Sequence, residues 1–75
     1  MRTFSISIQD DRHASPTAEV ITVRDRAAAA ELARKRLSAS SHHSSVELFE
    51  DGVPLALFDE EGEIWRKGPG GRGPD

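Results

Sequence analysis

The sequence predicts an α+β fold, an antiparallel β-sheet with one α-helix packed on one face, in the order β-β-α-β-β-β. Three observations predict it. Thr3 to Gln9 alternates apolar and polar residues with a period of two. Asp25 to Ser38, D-R-A-A-A-A-E-L-A-R-K-R-L-S, combines alanine-rich composition with helical spacing. Asp51-Gly52 lies between two apolar runs, a strong signal for a two-residue hairpin turn.

The first strand spans Thr3 to Gln9. Phe4, Ile6 and Ile8 point one way and Ser5, Ser7 and Gln9 the other, so one face is buried and one wet. Asp10 to Thr17 is polar, contains Pro16 and reads as a loop. Glu19 to Val23 is a short β-branched strand, expected antiparallel to the first with Ile21 and Val23 toward the core.

Asp25 is the expected N-cap, because its carboxylate accepts backbone N–H bonds at the positive end of the helix dipole. On the helix, Ala29, Leu32, Ala33 and Leu37 share one side, with Ala27, Glu31, Arg34 and Lys35 opposite. The apolar side is mostly methyl groups, which lets the helix sit close to a sheet. Arg36 is expected to run its stem along the rim. Ser38 to Ser45 is a polar loop.

Val46 to Glu50 and Val53 to Phe58 form the hairpin. A regular two-residue turn opposes Glu50 to Val53, Leu48 to Leu55 and Val46 to Leu57, putting those apolar side chains on one face. Asp59 to Glu63 is a second turn and Ile64 to Lys67 a final strand. Pro54 lies opposite Phe49, where its missing N–H leaves that end of the last strand unpaired, an opening for strand addition by a partner.

Seventy-five residues make one small domain over 1–67, and the Gly/Pro-rich stretch 68–75 is expected to be a disordered tail. A chain of this size buries only about 60% of its unfolded surface, so self-association is the expected source of extra stability. There are no cysteines, which excludes disulfides and thiolate zinc sites. The net charge of −3 argues against a general nucleic-acid binder. No apolar run reaches the roughly 20 residues that span a bilayer. The alternating N-terminus lacks the apolar stretch of about 7–15 residues of a signal peptide. A cytoplasmic location and no membrane partner are expected.

His13, His42 and His43 fall in loops, and the adjacent pair points to opposite sides of an extended chain, so solvent-exposed histidines are expected and no metal site. Ser41-His42 lacks the frame of a catalytic triad. Glu47, Glu50, Asp51, Asp59, Glu60, Glu61 and Glu63 cluster in the C-terminal hairpins without the spaced ligands of a calcium loop. No catalytic residue, cofactor or small-molecule ligand is indicated.

Arg34, Lys35 and Arg36 complement the negative end of the helix. Their functional alternative is phosphate contact, the nucleic-acid reading, or contact with the acidic hairpin of a second copy. In the regular hairpin register Phe49 and Phe58 point away from the helix. With an even-numbered second turn Trp65 joins them as a partner-binding patch on the uncovered face. An odd turn or a bulge instead puts Trp65 in the core and Ile64 outside.

D-R-A-A-A-A-E-L-A-R-K-R-L followed by S-V-E-L-F-E-D-G-V-P-L-A-L-F resembles very small bacterial proteins of unknown function with a strand pair, an alanine-rich helix and an acidic-Gly hairpin. The resemblance covers most of residues 3–66 and implies no activity. The N-terminal part is also similar to the strand-helix units of HicB-type antitoxins, without their glycine-rich second strand segment. The expected function is a non-enzymatic protein-interaction module, with a homodimer as the first candidate assembly. The alternative is a small, antitoxin-like, nucleic-acid-associated regulator.

Overall fold

A computed structural model describes residues 1–66 of the chain. Its elements are β1 (Arg2–Asp10), β2 (Thr17–Val23), α1 (Arg26–Ser38), β3 (His43–Glu50), β4 (Val53–Asp59) and β5 (Gly62–Trp65). The five strands form one antiparallel sheet in the order β2-β1-β3-β4-β5. The fold is α+β, as the sequence predicts. Lys67 and the expected tail, 68–75, lie outside the described residues.

The period-two pattern of β1 becomes burial directly. Phe4, Ile6 and Ile8 are in the core, while Ser5, Ser7 and Gln9 line the other face. Ile21 on β2 pairs with Phe4 and joins the same core, with Val23 packed beside it. Asp25 caps the helix: its Oδ1 accepts from the Ala28 N–H at 2.9 Å. Ala29, Ala30 and Ala33 are fully buried against the sheet, chiefly over β3, and Leu32 and Leu37 are half-buried. Methyl groups at those three positions allow the close approach. Asp51 and Gly52 take φ of 52° and 76°, the left-handed pair that a two-residue hairpin turn demands.

Two β-bulges set which side chains face the helix. The first lies between β3 and β4. Glu50 opposes Val53 and Phe49 opposes Pro54, as a regular hairpin requires, but Leu48 opposes Ala56 and Val46 opposes Phe58. Leu55 is the extra residue. It follows Pro54, which has no N–H to give to a ladder and is accommodated best at such an irregularity. The expected facing pairs Leu48–Leu55 and Val46–Leu57 are therefore corrected. Beyond Leu55, Ala56 and Phe58 turn to the helix side and Leu57 to the outside.

The second bulge lies between β1 and β3. Gln9 opposes Ser45, whereas Asp10 opposes His43 and Ser44 is the extra residue. Its hydroxyl donates to the Gln9 carbonyl at 3.2 Å. The expected loop over 38–45 is shorter than predicted, because β3 begins at His43.

Candidate functional site

The bulge at Leu55 relocates two of the three aromatics expected to form a patch. Phe58 is 1% exposed in the core beneath the helix. Across β4 and β5, Ala56 opposes Trp65, Leu57 opposes Ile64 and Phe58 opposes Glu63. Trp65 thus follows Phe58 to the helix side and meets its ring edge-on, with centroids 6.1 Å apart. The expectation that Phe49, Phe58 and Trp65 share the uncovered face is corrected. Phe49 alone stays there, opposite Ser5 and Pro54. Ile64 goes outside, as the bulged alternative requires, and is 62% exposed.

The uncovered face has two halves. Over β1 and β2 it is lined by Thr3, Ser5, Ser7, Thr22 and the 71% exposed Val20. Over β3, β4 and β5 it carries Phe49, Pro54, Leu57 and Ile64 as neighbours on adjacent strands. Among the described residues no element packs over this apolar half. Arg66 reaches from beyond β5 across β4 to Glu47 on β3, with Nη2 to Oε2 at 3.1 Å, so one ion pair crosses the apolar surface. The Arg66 N–H also donates to the Leu55 carbonyl at 2.8 Å and holds the end of the last strand at the bulge.

The helix face is organised by charge. Arg34 forks onto Glu63 with two bonds of 2.7 and 2.8 Å, lies over the Phe58 ring at 5.7 Å, and leaves Glu63 to accept also from the Trp65 indole N–H at 3.0 Å. The Arg34 guanidinium, helped by that indole, lowers the Glu63 carboxyl to about 2. Arg36 pairs with Glu19 on β2 at 2.8 Å. Lys35 points between them, 3.9 Å from Glu31. Arg34, Lys35 and Arg36 therefore diverge toward β5, solvent and β2, and they do not assemble into one phosphate-binding strip. At the other end of the helix Arg2 forks onto Glu50 at 2.7 and 2.9 Å, with Arg26 3.6 Å away, and holds Glu50 below its ordinary range. The acidic hairpin and the basic helix meet within the chain, through Arg34–Glu63 and Arg26–Glu50.

A third cluster closes the sheet end under the helix C-terminus. Asp10 is 6% exposed and accepts from the Arg12 backbone N–H at 2.8 Å and from its guanidinium at 2.8 and 3.0 Å. The Arg12 bonds hold the Asp10 carboxyl far below the ordinary carboxylate range. The bulge at Ser44 turns His43 inward, where its Nδ1 lies 2.6 Å from the Arg36 carbonyl and its Nε2 3.9 Å from Asp10. A carbonyl only accepts, so Nδ1 carries the hydrogen. His43 is thus a half-buried anchor for the end of the helix, not the exposed loop histidine expected. His42 points away and meets Asp11 at 3.0 Å. Among the described residues no group of three or more His, Asp or Glu side chains is placed to hold a metal ion. No helix of the described residues is long and apolar enough to cross a membrane.

No protein family, curated protein or solved structure matches the chain.

Proposed function

We propose that the chain is a non-enzymatic protein-interaction module that docks a second copy of itself through the apolar half of the uncovered sheet face. One observation carries the reading: Phe49, Pro54, Leu57 and Ile64 lie together on three adjacent strands, opposite the side the helix covers. An antiparallel sheet with an apolar half-face finds its natural cover in another such face at about 10 Å. A second copy suits the charges as well. A two-fold axis through the patch sets each Glu47–Arg66 pair against its mate in opposite sense, so acid meets base at both ends of the interface.

The ionisable groups support a structural role over catalysis. A general acid or base works best with a pKa near the operating pH. Asp10, Glu50 and Glu63 are instead held down by arginine. Sedimentation equilibrium of the wild type and of Ile64→Lys tests the proposal. Ile64 is exposed in the protomer, so its replacement leaves folding intact. The expected result is a concentration-dependent self-association whose face-to-face contact the lysine abolishes. An Ile64→Lys protein that associates as tightly as the wild type removes this face from consideration.

A further inference from the structure

The sheet has two edges, and they differ. β5 is four residues long and follows the acidic turn of Glu60 and Glu61. β2 is seven residues long, T-A-E-V-I-T-V, and pairs with β1 without a register shift. It contains no proline, no lysine and no bulge, the usual devices that keep an edge strand from pairing. Among the described residues ion pairing reaches it on the helix side, where Glu19 meets Arg36.

The polarity of its backbone groups follows from β1. The Gln9 carbonyl meets Ser44 and the Asp11 N–H meets the His42 carbonyl, both on the β3 side. Odd-numbered residues of β1 therefore face β3 and even-numbered ones face β2. The hydrogen-bonded pairs of the first hairpin are then Phe4–Ile21, Ile6–Glu19 and Ile8–Thr17. The N–H and C=O groups of Ala18, Val20 and Thr22 are left pointing away from the sheet.

We propose that β2 is a strand-addition site for β2 of a second copy, antiparallel about a two-fold axis at Val20, joining two five-stranded sheets into one. The pattern is self-complementary in this register. Val20 faces Val20 of the mate, and Ala18 faces Thr22, so the outward backbone groups meet as about six inter-chain hydrogen bonds. Val20, 71% exposed in the protomer, gains a cover. Glu19 and Arg36 of the two copies alternate in sign along the helix side of the seam. A shift of the axis by one residue either way puts Val20 opposite Thr22 or Ala18 and loses the match. The remaining edges are both β5, short and acidic, so growth of the sheet by strand addition stops at two copies.

This seam is separate from the apolar half-face of the proposed function, and the two are distinguished by variant. The chain has no cysteine, so single cysteines report the register without background. Hydrogen-bonded antiparallel partners stand about 5.5 Å apart at Cα, within disulfide reach. Val20→Cys is expected to form an inter-chain disulfide under mild oxidation. Thr22→Cys alone is not, and Thr22→Cys mixed with Ala18→Cys is. Val20→Pro removes an outward N–H without touching a bond inside the sheet. It is expected to raise the dimer dissociation constant about tenfold or more, and Val20→Thr to change it little. Ala18→Pro, at the start of the strand, repeats the test should Val20→Pro misfold. A wild type that sediments as a monomer at millimolar concentration overturns the seam and the face together. Crosslinking as fast at Thr22→Cys as at Val20→Cys overturns the seam, as does a dimer of the Ile64→Lys protein that survives both prolines. If the prolines leave wild-type association unchanged and Ile64→Lys alone abolishes it, the face reading stands alone.

Discussion

Replacing Phe58 and Phe49 in turn by alanine tests the bulge at Leu55, on which the placement of the aromatics depends. Phe58 is 1% exposed, with Trp65 against its edge and Arg34 over its face. Truncating such a ring costs about 3–5 kcal/mol. Phe49 is half-buried on the outer face, so its loss costs about 1 kcal/mol, half the transfer value of a fully buried ring. A chain of this length is stable by about 4–11 kcal/mol, so Phe58→Ala removes about a quarter or more of the total. With a urea dependence of about 1 kcal/mol per molar, the midpoint falls by about 3 M for Phe58→Ala and about 1 M for Phe49→Ala. Trp65 fluorescence and far-UV circular dichroism at low micromolar protein follow both without interference from association. Without the bulge, Phe58 lies outside and Leu57 inside. A Phe58→Ala that costs no more than Phe49→Ala, together with a Leu57→Ala that costs several kcal/mol, therefore refutes the register.

Acid should destabilise the fold in a defined window. Glu63, Glu50 and Asp10 all have folded-state pKa values below their unfolded ones, so unfolding takes up protons. Their contribution is fully present above pH about 4.5 and is lost as pH falls toward 2. Glu63→Gln should remove about 1 kcal/mol at neutral pH, a value reduced for the partial exposure of the pair, and flatten the acid limb of a urea-midpoint titration. Asp25→Ala removes the N-cap and should cost about 1 kcal/mol, lowering the melting temperature by about 4–8 °C in calorimetry. Gly52→Ala places a side chain at φ 76° and should cost about 1–2 kcal/mol in the same experiment. Self-association by either proposed surface should weaken only modestly between about 50 and about 500 mM salt, because the ion pairs lie at the rims and are screened while the apolar and backbone contacts are not. Sedimentation across that range checks it.

Elements were legible in the sequence where two local signals agreed. For β1, period-two alternation and β-branched composition point the same way. For the helix, the Asp25 cap and the alanine run do so. For the Asp51-Gly52 turn, residue type and flanking apolar runs do so. Facing was not legible wherever a strand carries an extra residue. One bulge at Leu55 sends Phe58 and Trp65 inward, and one at Ser44 sends His43 inward. The pairing of β4 with β5 was read correctly relative to itself, since Trp65 does share a side with Ala56 and Phe58. Only the parity relative to β3 was inverted. A signal was present at Leu55. Pro54 interrupts the strand, and Leu55-Ala56-Leu57-Phe58 is apolar throughout, so alternation cannot choose a face. At Ser44 the surrounding serines and histidines carry no such signal.

The same inversion decides what kind of surface is left for a partner. Had Phe58 and Trp65 stayed outside, Leu57 would stand in the place of Phe58 on the helix side, and Arg34 and Glu63 would have no ring there to pack on. With both rings inside, Arg34 is fixed between Phe58 and Glu63, and Glu63 between Arg34 and Trp65. Arg36–Glu19 and Arg2–Glu50 tie the remaining corners of the helix to the sheet. Such exposed or half-exposed pairs add little stability singly. They do engage Arg34 and Arg36, which leaves Lys35 as the member of the basic run most open to solvent. The uncovered face is left with Glu47–Arg66 as its one cross-strand ion pair among the described residues, set in Phe49, Leu57 and Ile64. Under the proposed docking, recognition there rests on apolar contact and at β2 on backbone hydrogen bonds. Both are surfaces that match another sheet better than a polyanion.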